Sequence, residues 1–242
     1  MLKPITSGSL RTRLSEWLFD AILRGDLAPG ERIVEGRLAR QLEVAQTTLR
    51  EALQQLEHQG LVTKSERRGN FVTRLTVEDM EDIYVVRREL EPIAAGLAHQ
   101  RMTSEDHRHL AHLLDEMRRA SEQKDYQRLL KLDMSFHQFI WRLSGNRSLE
   151  KALNAVCPPL FANYMIRISS GKLYDFEKDH KEHAALLLAL KSGGPDEVRN
   201  AFRAMVETFG IQDVEYLRSS ENKRQTVALE KKHKVAHRRQ AR

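Results

Sequence analysis

Cysteine is nearly absent from this chain of 242 residues. Cys157 stands alone, so no internal disulfide can form and a reducing compartment is the expected setting. Glycine and proline are scarce, at 12 and 6 residues, while Leu, Arg, Glu and Ala recur throughout, which predicts a mainly helical fold. Long apolar runs are missing as well. The longest, AALLLAL at 184–190, is far short of the roughly 20 residues of a membrane span. The opening residues MLKPITSGSLRTRL hold no apolar core of the signal-peptide type. The expectation is a cytoplasmic chain with no membrane partner. There is no HExxH motif and no activated nucleophile around Cys157 or Ser135, so an enzyme is not expected.

What remains is ample for a core: 40% of residues are hydrophobic and 31% charged. The net charge of +6 is unevenly spread, since residues 221–242 alone hold eight Lys/Arg against Glu221 and Glu230. The part before residue 75 is mildly basic and the part from 75 to 220 mildly acidic. Charge alone is compatible with an anionic partner, through the N-terminal part or through a loosely structured basic tail. It is equally compatible with a solvated chain end.

Hydrophobic spacing organises the first seventy residues. Leu14, Trp17, Leu18, Ala21 and Ile22 form the stripe of a helix over about 10–24, with Gly25 as its cap. DLAPGERI turns into a short extended piece. A second short helix places Leu38, Ala39 and Leu42 inward, and a third carries Leu49, Ala52, Leu53 and Leu56 and ends at Gly60. LVTK, SERRGN and FVTRL then read as a hairpin with a charged tip. Three helices followed by a hairpin make a winged helix-turn-helix, whose third helix enters the major groove of DNA. The polar face of that helix opens with Gln46, Thr47, Thr48 and Arg50, and the hairpin tip carries Arg68 and Gly69. Arg suits guanine or phosphate, Gln suits adenine, and Thr suits phosphate or a thymine methyl. The same pattern also fits an ordinary amphipathic helix with a solvated face.

Thr76 and Asp79 have capping-box spacing and open a long helix with Met80, Ile83, Leu90, Ile93, Ala94 and Leu97 inward. Further helices are predicted over 104–120, 125–144, 148–168, 176–191 and 196–217, with breaks at Gly145, Gly171 and Gly193-Gly194. Short connections imply an antiparallel bundle of about six helices. The expected units are a winged domain over 8–75, a helical domain over 76–218 and a basic, possibly disordered tail over 219–242.

Some polar residues fall on apolar faces. Asp133 and His137 lie four apart on the stripe Leu129, Phe136, Ile140, and His183 opens AALLLAL with His180 one turn earlier. A buried carboxylate needs a partner or a metal, and Asp with two His could hold a divalent ion. A structural Asp–His pair is the alternative. Arg87 and Arg88 are either surface ion pairs or carboxylate anchors pointing into the bundle. His99, His107, His109 and His112 fit polar helix faces, and Cys157 fits packing.

Taken together these segments resemble the GntR transcription regulators of the branch with an all-helical FCD ligand-binding domain. LARQLEV, TTLREALQQLEHQGLV and RRGNFV carry the resemblance at the N-terminal end, and YVVRRELEPIAAGLA, LDMSFHQFIWRLSGN and EHAALLLAL farther on. The resemblance implies a homodimer that binds a short palindromic operator in double-stranded DNA, usually as a repressor. It implies a small effector, often a carboxylate-bearing metabolite such as an organic or sugar acid, for which Arg87 and Arg88 are the candidate anchors. It also implies a divalent metal, zinc- or nickel-like, on Asp133, His137 and His183. Two positions depart from the family's pattern. Ala45-Gln46 stands where a Ser/Thr-Arg pair is usual, and Thr208 falls where a fourth metal ligand, a histidine, is expected. A metal-dependent enzyme and a non-specific nucleic-acid binder are the competing readings.

Overall fold

The computed structural model describes residues 10–169 and 175–240, the stretch 222–240 as backbone. Helix α1 (Leu10–Arg24) buries Leu14, Leu18, Ala21 and Ile22 against α3 (Gln46–His58), whose Leu49, Ala52, Leu53 and Leu56 are almost wholly shielded from solvent. Trp17, expected in the α1 stripe, is instead 42% exposed, because it stands at the edge of the face that α3 covers. Between them lie β1 (Arg32–Ile33) and α2 (Glu35–Gln41). After α3 come β2 (Val62–Ser65) and β3 (Gly69–Val72), which pair antiparallel with Thr63 opposite Phe71. β1 joins the other edge of β3, giving the order β1-β3-β2. The three helices and the wing expected from the sequence are therefore all present.

Gly60 closes α3 with a positive φ of 68°. It also lies so near the next unit that an added Cβ would come within 2.8 Å of Pro159 Cγ. Only glycine combines that conformation with that approach. Lys131 reaches Asp20 across the same junction at 2.6 Å.

Helix α4 (Val77–His99) begins at the expected capping box, with Thr76 and Asp79 bonded reciprocally. α5 (Ser104–Glu122), α6 (Tyr126–Leu143), α7 (Arg147–Val156), α8 (Pro158–Ser169), α9 (Phe176–Ser192) and α10 (Pro195–Gln240) follow. The helix expected over 148–168 is two helices. Pro158 has no N–H with which to continue α7, and its fixed φ suits the first turn of a new helix. The described residues thus hold seven helices in this part, one more than expected. The break expected at Gly171 lies outside the described residues. The tail, read from sequence as loosely structured, is continuous with α10. Residues 222–240 contain neither Gly nor Pro and are rich in Lys, Arg, Ala and Glu, which favour helix.

The centre of the bundle is the packing of α10 along α4. Gly96 faces Arg199, Gly210 faces Tyr84, and Arg218 pairs with Glu81 at 2.8 Å, so the two helices run antiparallel. At Gly210 a Cβ would stand 2.9 Å from the Tyr84 ring; its absence lets the helices close. This packing shifts the buried face of α4 from the one expected. Met80, Tyr84, Arg87, Glu91, Ala94, Ala95 and Ala98 are buried, whereas Ile93 is 46% exposed. The Arg87–Glu91 pair, with Glu91 turned toward His137 of α6, makes the polar part of the stripe tolerable.

Candidate functional site

Two places gather chemistry. The first is the outer face of α3. Gln46, Thr47 and Arg50 are exposed and Thr48 half-buried, and Arg68 and Gly69 are exposed at the wing tip. Ala45, extended before the helix, provides no side-chain cap, as expected where the usual hydroxyl is missing. Glu35 organises the face. One of its oxygens accepts from Arg50 Nε at 2.6 Å and from Gln46 Nε2 at 3.3 Å, and the other accepts from Asn70 Nδ2 on β3 at 3.0 Å. One carboxylate thereby ties α2, α3 and the wing, and it pre-orients two of the expected base-reading side chains. Arg68 lies over the Phe71 ring, 5.6 Å from its centroid. Sequence reading missed Glu35 and Asn70. The available signal was a lone carboxylate in the first turn of α2, ahead of a face without acids.

The second place is a cavity of about 20 Å³ inside the bundle, lined by residues of α4, α6, α8, α9 and α10. Asp133 and His137 enter from α6 and His183 from α9, all buried. Asp133 Oδ1 stands 2.9 Å from His183 Nε2 and 3.5 Å from His137 Nε2. One donor atom from each residue falls within 4.8 Å of the others. Ligands about 2.0–2.1 Å from a tetrahedral ion would be about 3.3 Å apart, so these residues fit a divalent metal with small adjustments.

The outer nitrogen of His183 is hydrogen-bonded, whereas that of His137 lies at ion-pair distance from Glu91 without hydrogen-bond geometry. His183 Nδ1 lies 2.9 Å from the Asp179 carbonyl oxygen, and His137 Nδ1 lies 3.3 Å from Glu91 Oε2. Such partners fix the tautomer and orientation of metal-binding imidazoles. Glu91 in turn accepts from Arg87 Nε at 2.5 Å. Burial works against its charge, but the Arg87 guanidinium and then His137 hold its carboxyl at about 2. Burial likewise disfavours a charged His183, yet Asp179 and Asp133 outweigh it and raise that imidazole to about 10. Asp133, despite burial, is lowered by His183 and then His137.

On the α10 side of the cavity stand Met205 and Phe209. Thr208, taken from the sequence as the fourth ligand position, bonds the Ala204 carbonyl of its own helix at 2.9 Å and does not line the cavity. Of the expected stripe, Val198 and Met205 are buried, but Phe202, Val206 and Phe209 fill the rest of the inward face, and Ala201 and Thr208 lie at its edge. Arg87 lines the cavity, but Arg88 does not; its side chain is 43% exposed and faces Glu89 at 3.5 Å. His180 looks into a separate groove of about 390 Å³ with Met117 and Phe176, and Asp179 borders both spaces. Sequence reading also missed Tyr84, Tyr164 and Asp213. Both phenols donate to Asp213 Oδ2, the Tyr164 bond being 2.5 Å, beside the Arg87 end of the cavity.

Residues 10–72 match the model of the bacterial regulatory proteins of the gntR family, and residues 82–208 match the FCD domain. The chain belongs to the GntR family. Over 192 residues it is 32% identical to the Nta operon transcriptional regulator of Aminobacter aminovorans, covering 79% of this chain and 89% of that one. It is 33% identical over 136 residues to the HTH-type regulator YdhC of Bacillus subtilis, a match covering 56% of this chain and 61% of that protein. The fold superposes on that of Escherichia coli McbR/YncC with a TM-score of 0.74 at 22% identity, covering 89% of this chain and 100% of the other. This GntR chain is accordingly a DNA-binding transcription regulator with an FCD effector domain, and not an enzyme. Among its described residues, no helix is long and apolar enough to cross a membrane.

Proposed function

We propose that the chain is a cytoplasmic homodimeric repressor, released from or locked onto its operator by a small carboxylate-bearing metabolite bound beside a divalent metal. Gln46, Thr47, Thr48, Arg50, Arg68 and Gly69 would read and grip the DNA, Glu35 holding Arg50 and Gln46 in place. Asp133, His137 and His183 would hold the metal. The observation that carries this reading is the convergence of three buried donor atoms, with the outer nitrogen of His183 held by the Asp179 backbone and that of His137 3.3 Å from Glu91.

Three protein ligands would leave a coordination position for a further ligand, and Met205 and Phe209 also line the cavity. An effector carboxylate would take that position once the cavity widens, with the Arg87 guanidinium on the same cavity wall. A cavity of about 20 Å³ accommodates an ion or a water. An organic acid requires the walls formed by Phe161, Tyr164, Met205 and Phe209 to part, and Asp179 links the cavity to the larger outer groove. The effector would therefore favour an expanded state, and its differential affinity for the two states would set how far DNA binding shifts.

A thermal-shift screen against small organic and sugar acids, run with zinc and with a chelator, tests the reading. The expected result is an acid that raises the melting midpoint only when metal is present. An acid that stabilises equally in chelator would place the carboxylate on Arg87 alone and remove the metal from the account.

A further inference from the structure

The basic end of the chain is a helical rod with a direction. The Gly96–Arg199, Tyr84–Gly210 and Glu81–Arg218 juxtapositions carry α10 antiparallel to α4 down to the first turn of α4. α4 starts at Val77, directly after the wing strand that ends at Val72. α10 thus leaves the bundle at the end where the winged unit is attached, and runs on from Arg218 to Gln240, a further distance of about 30 Å at 1.5 Å per residue. Helical periodicity places Lys223, Arg224, Lys231, Lys232, Lys234 and the Arg238–Arg239 pair within about one half of the circumference. Gln225, Leu229, Glu230, His233 and Gln240 fall on the other half. Val227, Ala228 and Val235 share the basic half, but the seven Lys and Arg outnumber them, so it is not an apolar seam for another helix. It is a stripe of positive charge long enough to follow several phosphates.

We propose that residues 222–240 form a second DNA contact, a helical arm that grips the sugar-phosphate backbone flanking the site read by α3. The proposal rests on the DNA-binding reading of α3, because that reading brings duplex to the end of the molecule toward which the arm runs. Once α3 is seated, the arm's encounter with neighbouring phosphates is intramolecular, so a weak contact adds appreciably to affinity. Phosphate contacts position a protein without reading sequence. The arm therefore raises affinity for all duplexes and leaves the preference among them to α3.

The test is a fluorescence-anisotropy titration of a 50-base-pair mixed-sequence duplex between 50 and 200 mM NaCl. It compares the native chain, a full-length variant with Gln at the seven basic positions, and Arg50→Ala. A chain ending at Ser220 serves as a second arm-less form should the Gln variant fold poorly. Loss of the arm is expected to weaken binding by about tenfold or more at the lowest salt, and to flatten the logarithmic salt slope by about two to four. Arg50→Ala keeps the arm and so retains most of that slope, which separates a failure of the arm from a failure of the α3 reading. Equal affinity and slope in the native and arm-less chains would overturn the proposal. So would arm-dependent binding that is tighter to single-stranded RNA of the same length than to the duplex.

Discussion

Arg50→Ala is expected to cost about 1–3 kcal/mol of operator affinity for each copy of the chain on the DNA, the range of one bidentate base contact. Arg50 is exposed and, among the described residues, is held by Glu35 at 2.6 Å. Its removal leaves Glu35 still bonded to Asn70 and Gln46, so the winged unit keeps its shape. Exposed ion pairs contribute about 0–1 kcal/mol to stability, and the melting midpoint should hardly move. The operator itself comes from selection of random duplexes on the native chain. Binding to that operator and to a scrambled duplex then separates the specific part. The specific-to-scrambled ratio should collapse towards one. An unchanged ratio would mean that the outer face of α3 is not the reading surface.

Asp133→Asn has the second large effect, on a different observable. The substitution keeps the volume but removes the charge that faces both His183, at 2.9 Å, and His137, at 3.5 Å. Loss of a buried charge-assisted hydrogen bond costs about 1–3 kcal/mol of stability. The expected signature is a loss of metal-dependent stabilisation and a loss of the effector's influence on operator affinity. Operator affinity in the absence of effector should remain within a few-fold of native. A variant that binds DNA and still responds to effector like the native chain would show that Asp133 is a structural partner of His183 and nothing more.

The parts of the molecule that were legible in the sequence share a simple property: one face was apolar and the other was not. α1 and α3 carry a single stripe each, and the hairpin tip is all charge and glycine. α4 misled because apolar residues lie all round it. Ile83, Leu90, Ile93 and Leu97 outline one face, but the buried face holds Met80, Tyr84, Arg87, Glu91 and three alanines. Arg87 and Glu91 were nonetheless four apart, a spacing that a buried pair and a surface pair share. The metal-type triad was visible only in halves. Asp133 and His137 announce each other on one helix, whereas the approach of His183, fifty residues away, is a property of the bundle. Asp179, four residues before His183 on the same face, gave a similar local signal. Tyr84, Tyr164 and Asp213 meet from three helices, and nothing in their spacing brings them together. On α10 the expected stripe was right at Val198 and Met205 but drifts off the buried face by Thr208, where Phe209 points inward instead.

The central claim is that the buried triad holds the metal beside which the effector binds. Calorimetric titration of zinc into the chelator-treated, dialysed full chain, beside His183→Ala, tests it most directly. Saturation at one ion per native chain is expected, with no comparable binding by the variant. Native protein that takes up no zinc, or a variant whose isotherm overlays the native one, would contradict it.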